Sequence, residues 1–215
     1  MSKLRTIEEV TRELKDGQVL MIGGFIAAGT PEIFIDALIE KGVRDLTVIA
    51  NDTSFPDRGI GRLVTSKQVK KCIVSHVGTN RETGRQMHSG EMEVDLVPQG
   101  TLAERVRAAG AGLGGVLTPT GVGTVIEEGK QKLTVDGREY LLELPLRADI
   151  ALLLAHKADK YGNLVYRRAA RNFNPLMAMA ADLVIVAAEE IVEVGELDPD
   201  AVVTPGALVD YIVKI

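Results

Sequence analysis

The apolar positions of this chain fall into two rhythms. One is the short run with little polar alternation: Val19 to Ile22, Leu46 to Ala50, Ile73 to Ser75, Val94 to Val97, Ile150 to Ala155 and Leu183 to Ala187. Runs of this length predict strands covered on both faces. The other rhythm is helical. Over 32–41, Ile33, Phe34, Ala37 and Leu38 share one face and Gly42 follows as a C-cap. Thr30, Pro31 and Glu32 read as the N-cap, first-turn proline and early acid of that helix. Thr101-Leu102-Ala103-Glu104 reads as a capping box, predicting a helix from there to about Ala109. Lys132–Val135, Asp136-Gly137 and Arg138–Glu143 read as a hairpin around a type I′ turn. Strands separated by helices predict an α/β fold: an open, mostly parallel sheet with helices on both faces and one β-hairpin excursion. No linker, low-complexity tract or repeat divides the chain, so residues 1–215 are expected to form a single domain.

One junction between strand and helix stands out. Asp16-Gly17 is turn chemistry, Val19 to Ile22 is the first buried strand, and Gly23-Gly24 removes two side chains where that strand ends. The segment Gly24, Phe25, Ile26, Ala27, Ala28, Gly29, Thr30 then leads into the predicted helix. A loop at the carboxyl end of a strand in an open α/β sheet is a usual ligand position. It is equally the form of an ordinary tight connection.

Composition narrows the function classes. Apolar residues make up 46% of the chain, enough for a substantial core, and no run of 18 apolar residues marks a membrane span. The first ten residues lack the apolar block of a signal peptide, so the expected compartment is the cytoplasm. The net charge of −5 argues against a nucleic-acid partner. Arg167-Arg168 with Arg171 is the exception, a small basic cluster that either holds a phosphate or carboxylate or is simply solvated. The single cysteine, Cys72, lies in an apolar run and reads as a core thiol.

Several motifs fail on context. Gly110 to Gly115 satisfies G-x-G-x-x-G but follows a helix, and Thr118-Pro119 interrupts what should be the next one. Gly129-Lys130 is followed by Gln131, which excludes a P-loop. The glycine-rich stretch Gly110 to Thr124 is expected to be either mobile or close-packed, at an interface or the rim of a cleft. The histidines, His76, His88 and His156, have no metal-site spacing, so no metal is expected. No G-x-S-x-G elbow occurs, and no self-sufficient nucleophile with its base is visible.

The segment Asp16 to Pro31, DGQVLMIGGFIAAGTP, resembles the first signature of the family I coenzyme A transferases. The similarity continues through Ile49-Ala50-Asn51-Asp52, Ser75-His76-Val77-Gly78, Ser89-Gly90-Glu91 and Leu96 to Arg105. It extends through Gly110-Ala111-Gly112, Thr118 to Thr124, and Ala170 to Pro175, ARNFNP. Ile26 departs from the pattern, standing where many relatives have a third glycine.

The resemblance implies an α subunit acting on short acyl groups (acetyl, acetoacetyl or butyryl) with coenzyme A as substrate carrier and no permanently bound cofactor. It also implies a β subunit, in a usual α2β2 assembly, that carries the nucleophilic glutamate in a Ser-Glu-Asn-Gly-like motif missing from this chain. Glu91 matches a different part of the α pattern. By the same resemblance, Gln99 meets the substrate carbonyl and the loop Gly24 to Thr30 approaches coenzyme A or the acyl group, its backbone N–H groups available as donors. From position alone, Gln99 sits at the carboxyl edge of the sheet, where it either contacts substrate or bonds the loop backbone. Asn51, ending its strand, either lines the same cleft or forms a turn. Two other readings remain: a non-catalytic scaffold subunit of the same assembly, and a sugar-phosphate isomerase-like enzyme of related fold.

Overall fold

The computed structural model describes residues 3–215. Along the chain run α1 (Ile7–Thr11), β1 (Val19–Ile22), α2 (Glu32–Lys41), β2 (Leu46–Ile49), α3 (Ile60–Thr65), β3 (Val69–Val74), α4 (Arg81–Ser89), β4 (Glu93–Leu96) and α5 (Gln99–Gly110). There follow β5 (Val116–Thr118), β6 (Lys132–Val135), β7 (Arg138–Glu143), β8 (Ala148–Asp159), β9 (Leu164–Val165), α6 (Asn174–Met177), β10 (Ala181–Val192) and β11 (Tyr211–Lys214).

The main sheet has the order β11-β10-β8-β1-β2-β3-β4, parallel throughout, with β9 added antiparallel to β8. Residues on opposite sides of each strand bury into two separate cores, as the unbroken apolar runs require. Leu20, Ile22, Leu46, Val48, Cys72 and Val74 pack under α1, α2 and α3. Met21, Ile49 and Ile73 pack against α5 and α6 through Leu102, Val106 and Met177. Helices therefore cover both faces, as predicted. A second sheet, β5-β7-β6, is antiparallel. Its β6–β7 turn has Asp136 and Gly137 at φ 50° and 74°, the type I′ geometry read from the sequence. The predicted hairpin thus gains a third strand.

Two helix starts differ from expectation. The first residue of α2 is Glu32, after Pro31, and no side chain caps it. The Thr30 hydroxyl turns instead onto Gly24, where an added Cβ would stand 2.0 Å from it. The other, α5, begins at Gln99 after Pro98, so the Thr101–Glu104 pair lies inside the helix. Thr101 is buried and its Oγ1 has no hydrogen-bond partner, so it is a core contact and not a cap.

The glycine-rich stretch is close-packed at some of its glycines and open at Gly112, Gly114 and Gly123. A Cβ on Gly110 would stand 2.4 Å from Met179 Cβ, and one on Gly115 would stand 2.8 Å from Glu143 O.

In the strand order, the chain reverses direction of travel between β1 and β8, the position where open α/β sheets commonly leave a crevice for ligand. Here that crevice is filled. Asn174, fully buried, accepts from Leu154 N–H of β8 at 3.0 Å and donates to Gly29 O at 3.1 Å and Ala170 O at 2.8 Å. Gly23 must be glycine for this fit, since a Cβ there would stand 1.9 Å from Asn174 Oδ1. The open cavity is displaced to the ends of β1 through β4.

Candidate active site

Four parallel strands end side by side, and each delivers residues to one cavity of about 340 Å³. Phe25 and Ile26 follow β1, Asn51 and Asp52 follow β2, Ser75 and His76 follow β3, and Gln99 opens α5 after β4. Of the residues the sequence predicted at this edge, Gln99, Asn51, Phe25 and Ile26 line the cavity, and Gly24, Ala27, Ala28, Gly29 and Thr30 do not. Asp52 and His76 were quoted only within the family pattern, and Ser75 only there and as the end of a strand run, although all three lie at the ends of apolar strand runs. That position was the available signal.

Asp52 organises the floor. It is buried, and its two oxygens accept from three donors: Ile26 N–H at 2.8 Å, Asn51 Nδ2–H at 2.6 Å and Ser54 N–H at 2.7 Å. The first of these joins the β1 loop to the β2 loop. Phe25 to Ala28 form a two-residue turn, with Phe25 N–H donating to Ala28 O at 3.0 Å and Ala28 N–H to Phe25 O at 2.9 Å. Ile26 and Ala27 consequently take φ values of 46° and 66°, left-handed conformations unfavourable for residues with a Cβ. The buried carboxylate helps hold that strained turn.

The rest of the loop is held from far along the chain. Asn172 Oδ1 accepts from Gly24 N–H at 3.2 Å, and Asn172 Nδ2 donates to Ala28 O at 2.8 Å. With Thr30 N–H bonded to Ala27 O, the N–H groups of Gly24, Phe25, Ile26, Ala28 and Thr30 are all engaged within the protein. Only those of Ala27 and Gly29 lack a partner among the described residues, so the expected row of backbone donors is mostly turned inward. The loop faces the cavity with the side chains of Phe25 and Ile26, an apolar wall.

Gln99 is exposed, and its Oε1 accepts from the Ser75 hydroxyl. Ser75 N–H donates to Asn51 O at 2.9 Å. Asn51 Oδ1 is buried without a hydrogen-bond partner among the described residues.

Other candidates lie outside the cavity. Glu91 is an exposed member of an ion cluster with Arg85, at 2.5 Å, and Lys67, at 3.1 Å. Hydrogen bonds from Arg85, Lys67 and Ser89 hold its carboxyl well below the usual carboxylate range. Arg167, Arg168 and Arg171 are exposed on the segment that backs the loop, where Ala170 abuts Gly29. Cys72 is buried among β2 and β3 side chains, and burial pushes its thiol up to about 12. At pH 8 only about one molecule in ten thousand would carry a thiolate there. Cys72 should therefore give no colour with an aromatic disulfide reagent in the native protein and react fully once urea unfolds it. Fast native labelling would contradict the burial.

No cluster of His, Cys, Asp and Glu among the described residues has the arrangement of a metal site, and no helix among them is long and apolar enough to cross a membrane. Residues 4–215 match the family described as Coenzyme A transferase. The chain is 60% identical over 212 residues to the acetate CoA-transferase subunit alpha of Escherichia coli K12, covering 99% of this chain and 96% of that one. It is 51% identical over 213 residues to the acetoacetyl-CoA:acetate/butyrate CoA transferase alpha subunit of Clostridium acetobutylicum, covering 99% and 98%. Among solved structures, its fold resembles an acyl-CoA transferase of E. coli O157:H7 at TM-score 0.88 and 22% identity, all of this chain spanning 50% of that one. It likewise resembles the glutaconate coenzyme A-transferase of Acidaminococcus fermentans at TM-score 0.87 and 20% identity, covering 99% of this chain and 75% of that one. With a family match over nearly its whole length and relatives at this identity, the chain belongs to the coenzyme A transferase family.

Proposed function

We propose that this chain is the α subunit of a heteromeric short-chain CoA-transferase. It would exchange coenzyme A between acetate and acetoacetate, with butyrate as a further acceptor. Residues 1–215 would act as one domain, joined to a β subunit in an α2β2 assembly. The observation that carries this reading is the chemistry of the cavity. It offers amide groups, a hydroxyl and an apolar wall, but no carboxylate free to attack, because Asp52 already accepts from three donors. The names of the E. coli and Clostridium relatives supply the acetate, acetoacetate and butyrate choice.

In this reading the nucleophile is a glutamate of the β subunit. It attacks the acyl-CoA carbonyl, the CoA thiolate leaves, and an acyl-glutamyl anhydride forms. The thiolate then attacks the glutamyl carbonyl, the carboxylic acid departs, and a glutamyl-CoA thioester remains. An incoming acid reverses both steps, so the thioester bond is conserved. Each attack develops an oxyanion, which needs a donor already in position. Gln99 is the donor this chain supplies, its Nε2 being the amide end with no partner among the described residues. Phe25 and Ile26 would bound the acyl group, and the Gly24–Thr30 loop would lie along the coenzyme. Closure between two subunits keeps water from both reactive intermediates. Its thioester substrates point to the cytoplasm as the compartment.

The test uses the protein purified from its own cells with whatever binds it. Acetoacetyl-CoA should be consumed only when acetate is present, and this consumption should vanish when the partner chain is stripped away and return when it is restored. Turnover by the bare chain would overturn the split site.

A further inference from the structure

We propose that Ser75 is a positioning residue that makes Gln99 a hydrogen-bond donor, a role that rests on the reading of Gln99 above. A glutamine amide can face a cavity with either end. With Nε2 outward it stabilises an oxyanion; with Oε1 outward it repels one. The choice depends on what the inner end meets. Here the inner end meets the Ser75 hydroxyl, which donates to Gln99 Oε1.

The hydroxyl has one proton and a second acceptor in reach, Asn51 O at 2.8 Å. That carbonyl already receives Ser75 N–H at 2.9 Å, whereas Gln99 Oε1 has no other donor among the described residues. The proton is therefore best used on the glutamine. In the opposite amide orientation, Nε2 would donate to the serine oxygen and the hydroxyl proton would go to Asn51 O. A single hydroxyl thus selects between a donor and an acceptor at the place where negative charge develops. Its own position is set by backbone: Ser75 follows the last residue of β3, and its N–H is locked to the neighbouring strand end. Gln99, by contrast, stands exposed on the first turn of α5, with no other side-chain bond among the described residues to fix it.

The experiment is a double-mutant cycle in the assembled enzyme, reading kcat and both KM values. Ser75→Ala should lower kcat by about tenfold, the worth of one ordinary hydrogen bond, and leave the KM values within about twofold. Ser75→Thr, which keeps the hydroxyl, should restore most of the loss. In the Gln99→Ala background Ser75→Ala should cause no further loss, because the serine acts only through that amide. Should the alanine variant fail to assemble, Ser75→Cys keeps the shape with only a weak S–H donor and should show the same loss in kcat. Additive losses would refute Ser75 as the orienting group while leaving the role of Gln99 standing. An unimpaired Gln99→Ala enzyme would remove both.

Discussion

Replacing Gln99 with alanine should lower kcat of the assembled enzyme by about 10²–10³ while changing the KM values for acyl-CoA and acid little. The size follows from where the interaction acts. A donor aimed at an oxyanion bonds weakly to the neutral carbonyl of the ground state and strongly to the charged oxygen that forms on attack, so its loss falls on the chemical step. Gln99 is well placed for a clean experiment. It is exposed, begins α5, and makes one side-chain hydrogen bond, to Ser75. Its removal opens no core cavity and should leave thermal unfolding almost unchanged. Steady-state kinetics over both substrates provides the measurement. A kcat within threefold of the parent would reject the oxyanion role and favour the scaffold reading of this chain.

The second large effect belongs to Asn174, whose removal should destabilise the fold and the site together. Asn174→Ala would leave Leu154 N–H, Gly29 O and Ala170 O without their partner, Gly29 being buried and the other two residues half-buried. A buried orphaned group costs about 1–3 kcal/mol, so at the low end of that range the three amount to about 3 kcal/mol. For a chain of this length that corresponds to a fall in Tm of about 6–12 °C. Activity at low temperature should fall as well, because the loop from Gly24 to Thr30 loses one of its two asparagine anchors. Calorimetry on the assembled enzyme, with activity measured well below the transition, separates the two effects. An unchanged Tm would mean that the crevice between β1 and β8 is not sealed by this amide.

Much of the frame could be read from the chain because it is written in short-range chemistry. The run Val19–Ile22, the αL glycine after α2 and the Asp136-Gly137 turn are decided by neighbours in sequence. The misreadings arose where tertiary contacts override that chemistry. At Thr101 the residues of a capping box are present, but Pro98 starts α5 earlier and the threonine turns into the core. The strands β8 and β10 run 12 residues each, well past the apolar stretches that announced them. Their outer halves are charged, and pairs such as Lys157–Glu190, 2.8 Å apart across the register, satisfy residues that an apolar rule reads as loop.

The site divides in the same way. Gln99 and Asn51 could be placed because each lies within three residues of a strand's carboxyl end, and strand ends in parallel sheets converge. The bonds of Asp52 to Ile26 N–H and of Ser75 to Gln99 link residues 26 and 24 positions apart, so nothing local records them. The direction of the loop N–H groups was equally hidden, since the partner of Gly24 lies 148 residues downstream.

That separation has a consequence for how the protein is made. As the chain leaves the ribosome, the first strand and its glycine loop emerge well before their neighbours in the finished molecule, which lie 130 to 148 positions further on. Val19 N–H waits for Asp149, and Gly24 and Gly29 wait for Asn172 and Asn174. A nascent chain halted before residue 172 could pair β1 through β4 but would lack the braces that shape the loop after β1. The geometry of this edge is therefore complete only once residues 172 and 174 have been made, and a product ended before them lacks the loop shape that the fold otherwise imposes.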